Sequence, residues 1–366
     1  MPMKVGVIGC GNISGIYLTN MPQFEVLDVV AVADLVHERA VEAATRYGIA
    51  SALSVDELLT DDEIEIVVNL TTPPSHFEVA MAVVEAGKSV YGEKPLTVDV
   101  ADAEALLEAA AARGVRVGVA PDTFLGAGIQ TCRQLIDEGA IGEPVAATAF
   151  MTNHGHESWH PDPAFYYKVG AGPMLDMGPY YLTALVNLIG PIRRVSGSTR
   201  ITFLERTIGS ERLRGTKIEV ETPTHVAGVA DFENGAIGTI VTSFDVWAAN
   251  LPRIEIYGSE GSLSVPDPNT FGGPVRLFQP RKGEWEDVPV TRGFAENSRG
   301  LGVADMAVAI GAGVPHRASG ELGLHVLEVM HAFQRSSEGG GHVEFAHACA
   351  KPEALGDGLV VGMGSG

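Results

Sequence analysis

Six residues near the amino terminus have the types and spacing to hold a pyrophosphate. Gly9-Cys10-Gly11-Asn12-Ile13-Ser14 follows the short apolar run 4–8 and opens a segment compatible with a helix. Glycines in such a loop permit a tight turn and let the backbone approach phosphate oxygens, and the helix that follows turns N–H groups toward the charge. Gly9, Gly11, Asn12 and Ile13 are the expected contacts. Ser14 stands where a third glycine is usual, so the match is partial, and a glycine loop by itself reads equally as an ordinary strand-to-helix turn. Asp34 strengthens it: it ends the second apolar run, 26–33, roughly twenty residues after the loop, as a dinucleotide fingerprint requires. A carboxylate there accepts hydrogen bonds from the adenosine ribose and repels a 2′-phosphate. No arginine follows until Arg39. The expected cofactor is therefore NAD, with NADP disfavoured.

Two more loops follow apolar runs. Thr71-Thr72-Pro73-Pro74-Ser75-His76 comes after 65–70. Its prolines fix the backbone, and Thr71, Thr72, Pro73 and His76 are expected to face the cofactor, although His76 alone reads more simply as a helix-start residue. Gly92-Glu93-Lys94-Pro95 comes after 89–91. Glu93 and Lys94 are also expected to face the cofactor, and an ammonium at Lys94, beside the nicotinamide, would polarise a substrate oxygen and lower the pKa of a neighbouring acid, with Glu93 orienting it. Lys94–Pro95 is a candidate cis peptide bond.

These loops need a scaffold of a particular kind. Apolar runs at 4–8, 26–33, 65–70, 89–91 and 115–120 alternate with helical segments at 13–21, 37–47, 55–60, 74–86 and 98–113, with Ser54 a candidate cap for the third. The runs are continuously apolar, as expected of parallel strands buried on both faces. This reads as an N-terminal Rossmann dinucleotide-binding domain, 1–121. The texture then changes. After a helix at 128–138 come alternating segments at 144–152, 194–203, 217–222, 225–232, 236–244, 253–257, 262–265 and 275–278, with Asn234-Gly235 as a hairpin turn, and then helices at 303–310 and 320–335. The expectation is a substrate-binding and oligomerisation domain, 122–350, with a mostly antiparallel open β-sheet flanked by helices. A flexible C-terminal tail, 351–366, follows.

The chain carries 46 acidic against 25 basic residues, for a net charge of -21. This excludes nucleic acid and anionic membrane as partners, since both need clustered bases. No apolar run approaches the ~20 residues of a membrane span. Cys10, Cys132 and Cys349 are far apart and odd in number, the pattern of reduced thiols in a cytoplasmic protein.

Taken together the motifs resemble those of the glucose–fructose oxidoreductase, inositol dehydrogenase and rhizopine catabolism family, Gfo/Idh/MocA. The resemblance covers nearly the whole chain: the glycine loop, Thr-Pro-Pro-Ser-His, Glu-Lys-Pro, Gly139-Ala140-Ile141-Gly142, and the segment Gly170-Ala171-Gly172-Pro173-Met174-Leu175-Asp176-Met177-Gly178-Pro179-Tyr180. It implies an NAD-dependent oxidoreductase that moves a hydride between nicotinamide and a carbinol or keto carbon of a sugar, cyclitol or glycoside. It also implies that Lys94 and Asp176 act at the reacting carbon, and that the chain forms a homodimer or homotetramer through the C-terminal sheet. A keto-sugar reductase, a dihydrodiol-type dehydrogenase and a non-catalytic NAD-binding regulator are the alternatives.

The chain departs from the family at two places, and a third segment stands out by its composition. Tyr180 stands where the family has histidine. On a helix it shares a face with Asp176, and as a catalytic residue it would exchange the substrate proton if an ammonium lowered its pKa of ~10; Tyr181 is the rival for that role. Pro121-Asp122-Thr123-Phe124 replaces the polar residues of relatives, which makes Asp122 a substrate contact. His154-Gly155-His156-Glu157-Ser158-Trp159-His160-Pro161-Asp162-Pro163 is rich in histidine. Hydride transfer needs no metal and none is expected. Trp159 would stack on a sugar face while His156, His160 or Asp162 bond hydroxyls.

Overall fold

A computed structural model describes residues 1–345, 347 and 349–356. By contacts the chain divides into two compact units, one of 1–130, 291–327 and 352 onward, the other of 131–290 and 328–351. The chain thus crosses between units more often than the contiguous reading of 1–121 and 122–350 supposed. The reason lies in segment 291–327, whose backbone and side chains bond to the N-terminal sheet: Val119 donates to the Ala318 carbonyl at 3.0 Å, and His316 Nε2 lies 3.1 Å from the Val117 carbonyl. Residues 352–355, expected to be loose, are also held, because Arg317 donates to the carbonyls of Glu353 and Ala354 and Leu355 is buried. The rest of the expected tail, from 357, lies outside the described residues.

The first unit has strands β1 (Met3–Ile8), β2 (Leu27–Ala33), β3 (Ser51–Leu53), β4 (Ile66–Asn69), β5 (Ser89–Gly92) and β6 (Val117–Val119). They form one sheet in the order β3-β2-β1-β4-β5-β6, with every pairing parallel. Val5, Val7, Val32, Ile66, Val67 and Val68 are buried, so both faces are covered. Helices α1 (Ser14–Asn20), α2 (His37–Tyr47), α3 (Val55–Thr60), α4 (His76–Glu85) and α5 (Val100–Arg113) alternate with the strands. Ser54 caps α3 in a full capping box with Glu57. α6 (Ala127–Asp137) follows.

The second unit is built on a nine-stranded sheet. Its strands are β7 (Pro144–Thr152), β8 (Ile192–Arg200), β11 (His225–Phe232), β12 (Ile237–Ser243), β13 (Ile254–Gly258), β14 (Ser262–Val265), β15 (Val275–Phe278), β16 (Trp285–Val288) and β17 (Val343–Glu344). β9 (Glu205–Thr207) and β10 (Lys217–Glu219) pair apart from it. The large sheet is antiparallel except where β12 runs parallel to β7. Asn234-Gly235 turns the β11–β12 hairpin, with Gly235 at φ 91°. α7 (Pro173–Leu188) lies along the sheet on β7, β11 and β12. α8 (Leu301–Ala312) belongs to the first unit, and α9 (Gly320–Gly339) begins in the first unit and ends in the second.

Candidate active site

In the first unit the strand order reverses between β1 and β4, and ligands of such sheets bind at the carboxyl ends beside that reversal. The glycine loop sits there. Gly9 has φ 101°, and a Cβ on it would lie 2.8 Å from the Leu70 backbone, so no other residue fits. A Cβ on Gly11 would meet nothing within 4 Å, and Gly11 and Asn12 are exposed. That open backbone is a cradle of the kind a pyrophosphate needs. Ser14 is not a gap in the fingerprint: its hydroxyl donates to the Gly11 carbonyl at 2.7 Å. The close helix contact falls one residue later, where a Cβ on Gly15 would lie 2.9 Å from the Tyr47 hydroxyl.

Asp34 ends β2 and braces the same loop. Its Oδ2 accepts from the Cys10 N–H at 2.8 Å and its Oδ1 from the Val36 N–H at 2.8 Å. Leu35 beside it is almost fully exposed. Thr71 and Thr72 follow β4, and Thr71 is bound through N–H and hydroxyl to Asn69 Oδ1. Pro73 is exposed.

His76, expected against the cofactor, faces inward instead. It is 2% exposed, with Nδ1 2.7 Å from the Pro95 carbonyl and Nε2 3.1 Å from the Thr71 carbonyl. Burial lowers its pKa below the ordinary imidazole value. The ring ties the Thr-Pro-Pro loop to the Glu-Lys-Pro loop, which makes it a positioning residue. Glu93 is likewise a brace: Oε1 accepts from the Tyr17 hydroxyl at 2.8 Å and Oε2 from the Lys94 N–H at 3.0 Å. Lys94 is half-buried, and Lys94–Pro95 is cis, as is Ala120–Pro121.

Asp122 is not a substrate contact. It is 1% exposed, and its Oδ2 accepts from the N–H groups of Gly300 at 2.9 Å and Gly302 at 3.0 Å, at the amino end of α8. Burial raises its carboxyl to about 6, against the opposing effect of those bonds and of Arg299. The residue type that suggested a sugar contact serves as a helix anchor.

In the second unit the segment 153–172 leads into α7. Gly172 enters the helix at φ 91°, and a Cβ there would lie 2.8 Å from the Pro223 carbonyl. Pro173 follows at the first turn, where its missing N–H costs nothing. Asp176 sits in that turn, and Tyr180 is one turn on and 9% exposed. Tyr181 points into the core: it is 1% exposed and bonded to Arg253, and burial pushes its hydroxyl well above the ordinary phenol range.

His156 reaches the same helix. Its Nε2 lies 3.8 Å from Asp176 Oδ2. Its ring stacks on Tyr166 at 3.8 Å between centroids, meets Phe244 edge-on at 4.7 Å and is tilted to Trp159 at 5.4 Å. His160 packs against Trp159 and Tyr166, and its Nδ1 accepts from the Asp162 N–H at 3.1 Å. The Asp162 side chain is exposed. The structure thus gathers His156, Trp159, His160 and Asp176, with Tyr180 on the same face of α7 as Asp176.

A buried ionic network holds this segment, and sequence reasoning missed it. Arg206 donates to Glu157 Oε1 at 2.9 Å, to the Phe244 carbonyl at 3.0 Å and to Asp245. The Tyr167 hydroxyl donates to Glu157 Oε2 at 2.5 Å and receives the His156 N–H at 3.4 Å. Arg206 lies on β9, far along the chain, and its neighbours in sequence carry no signal. Of its side chains, Glu157 alone stood inside a segment already singled out.

A parallel sheet with a glycine loop at its reversal, joined to an α+β unit bearing a carboxylate, imidazoles and aromatic faces, defines the NAD-binding oxidoreductase class. Residues 3–120 match the oxidoreductase family model for an NAD-binding Rossmann fold, and residues 129–264 match the GFO/IDH/MocA C-terminal domain. The chain belongs to the Gfo/Idh/MocA family of NAD-binding oxidoreductases. It is 28% identical over 279 residues to inositol 2-dehydrogenase 3 of Saccharopolyspora erythraea, covering 75% of this chain and 76% of that one. It is 27% identical over 289 residues to levoglucosan dehydrogenase of Pseudarthrobacter phenanthrenivorans, covering 71% and 73%. In fold it is similar to a solved levoglucosan dehydrogenase in complex with NADH, with a TM-score of 0.80, 22% identity, and 95% and 100% of the two chains covered. No helix among the described residues is long and apolar enough to cross a membrane.

Proposed function

We propose that the chain is an NAD-dependent dehydrogenase of a cyclitol, sugar or glycoside. The observation that carries this reading is the grouping of aromatic faces with hydroxyl-binding atoms in the second unit. Trp159 is 62% exposed beside His156 and His160, and His156 Nε2 lies 3.8 Å from Asp176 Oδ2. Aromatic faces suit the C–H faces of a polyhydroxylated ring, and a carboxylate and imidazoles suit its hydroxyls. The names of two relatives, an inositol and a levoglucosan dehydrogenase, support the substrate class. Bound NAD supplies a hydride acceptor. Gly9, Gly11, Asn12 and Ile13 hold its pyrophosphate, Asp34 its ribose, and Thr71, Thr72 and Pro73 line the same crevice. Lys94 polarises the substrate oxygen; Asp176 and Tyr180 bind hydroxyls.

Asp34 favours NAD over NADP, because a 2′-phosphate would bring its charge against the carboxylate. The three cysteines are free thiols, in keeping with a cytoplasmic setting. The open sheet face, with Phe150, Val241, Ile237 and Val229 partly exposed, is proposed as the surface that joins copies of the chain into a homodimer or homotetramer. The test is a screen of inositols, aldoses, anhydrosugars, glycosides and amino-sugars with NAD and NADP in parallel, read as absorbance near 340 nm. Reduction of NAD by a member of the panel is expected. A chain that binds NAD and reduces none of it across the panel contradicts the reading.

A further inference from the structure

We propose that His156, rather than Tyr180, takes the proton from the reacting carbinol, with Asp176 as its partner; the inference rests on the dehydrogenase reading above. The geometry is local to the second unit. His156 Nε2 and Asp176 Oδ2 are 3.8 Å apart, too far for a direct hydrogen bond. That spacing suits two adjacent hydroxyls of one ring, the reacting one donating to Nε2 and its neighbour donating to the carboxylate. The imidazole is 8% exposed, so the proton would move in a site with little water.

The ring is also held. Tyr166 stacks on one face at an interplanar angle of 7°, and Phe244 stands against it at 82°. Its backbone N–H rests on the Tyr167 hydroxyl, which Glu157 fixes and Arg206 fixes in turn. Arg206 is anchored by Asp245, and Asp245 by the Thr224 hydroxyl at 2.7 Å. A base positioned this far through packing and ion pairs has the rigidity that proton transfer needs. The charged and titratable groups around the ring are Asp176 from α7, Tyr166 and Tyr167 from the turn before it, His160 and Glu157 on its own segment, and Arg206 with Asp245. Arg206 offsets charge on the Glu157 and Asp245 side, which leaves Asp176 as the carboxylate facing the ring nitrogen.

Chemistry separates the two residues. An imidazole, with an ordinary pKa near ~6.5, is largely neutral at pH 7 and ready to accept a proton. A phenol, near ~10, is not, and must first be shifted by several units. In the step, the carbinol O–H bond breaks and its electron pair becomes part of the new C=O bond. The proton passes to His156 Nε2, and the C–H pair leaves as hydride to NAD+, the oxidant. Asp176 then faces the imidazolium and stabilises it. Tyr180 is left to bond a substrate hydroxyl.

Two measurements test this. The first needs no cofactor: histidine-labelled chain is titrated by NMR, with the His156 signal assigned through His156→Gln. The His156 signal is expected to titrate, and Asp176→Asn is expected to move its midpoint to lower pH. A midpoint unmoved by Asp176→Asn overturns the pairing. The second is the pH profile of kcat/KM for a reactive panel substrate. An ascending limb in the imidazole range is expected; His156→Gln removes it and lowers kcat by ~10²-fold or more, with NAD affinity unchanged, while Tyr180→Phe keeps it. A limb abolished by Tyr180→Phe and kept by His156→Gln overturns the inference and leaves the dehydrogenase reading intact. A chain that reduces NAD with none of the panel substrates overturns both.

Discussion

Asp122→Asn separates a helix anchor from a substrate contact. Asp122 uses a single oxygen, Oδ2, to accept both N–H groups, from Gly300 and Gly302. An asparagine carbonyl can accept the same two bonds. What the amide removes is the charge. The folded carboxyl is raised from 3.8 to about 6, chiefly by burial. A raised carboxyl binds its proton more tightly in the folded chain, so this group's stability contribution is fully present below pH ~4 and is lost as pH rises through about 6. At 1.36 kcal/mol per unit the whole difference is about 3 kcal/mol, and about 1.4 kcal/mol of it falls between pH 5 and pH 8. Urea unfolding of wild type and Asp122→Asn at those two values reads it. The stability difference between the two should move by about 1.4 kcal/mol in favour of asparagine at the higher pH, whatever its absolute level. KM for the substrate should stay within about twofold, since this carboxyl is turned away from any ligand. Parallel pH dependences, or a large rise in KM at unchanged stability, would refute the assignment.

Three further perturbations probe other parts of the account. Wild type should use NAD at least tenfold better than NADP in kcat/KM, about 1.4 kcal/mol, and Asp34→Ser should erase most of that ratio; initial rates with both cofactors decide, and equal use by wild type would mean the ribose pocket is built otherwise. Lys94→Ala should lower kcat by roughly two to four orders of magnitude while NAD affinity, measured by fluorescence titration, changes little; a variant keeping a tenth of the wild-type rate removes Lys94 from the chemistry. Arg206→Met leaves the Glu157 and Asp245 carboxylates, 10% and 7% exposed, without their shared cation, and should cost about 3–5 kcal/mol in thermal or urea unfolding. A loss below about 1 kcal/mol would show that solvent reaches the network.

The first unit was legible because its signals are local. Most of its parallel strands are short apolar runs, helices α2 to α5 are each bounded by a glycine or a cap, and Gly9 and Asp34 lie within one strand–helix–strand stretch. The edge strand Ser51–Leu53 escaped because three half-buried residues show no period. α7 escaped as a continuous helix because Pro179 lies inside it, and an interior proline argues for a helix end. Asp122 and His76 misled for one reason. A polar residue in a loop beside a crevice reads as a ligand contact, yet Asp122 turns to α8 and His76 to two carbonyls, and only tertiary packing sets that direction. The pairing of His156 with Asp176, and Arg206 beneath it, joins residues separated by a loop or by a helix and a strand, so no spacing rule announces it.

The most direct test of the central claim is the fate of the carbinol hydrogen. A reactive polyol deuterated at the carbon that becomes the carbonyl is incubated with the chain and NAD, and the reduced cofactor is analysed by mass spectrometry. The account predicts one deuterium on the nicotinamide per turnover, with a slower rate than the protiated substrate when chemistry limits. Deuterium released to solvent, or product formed without reduced cofactor, would contradict hydride transfer.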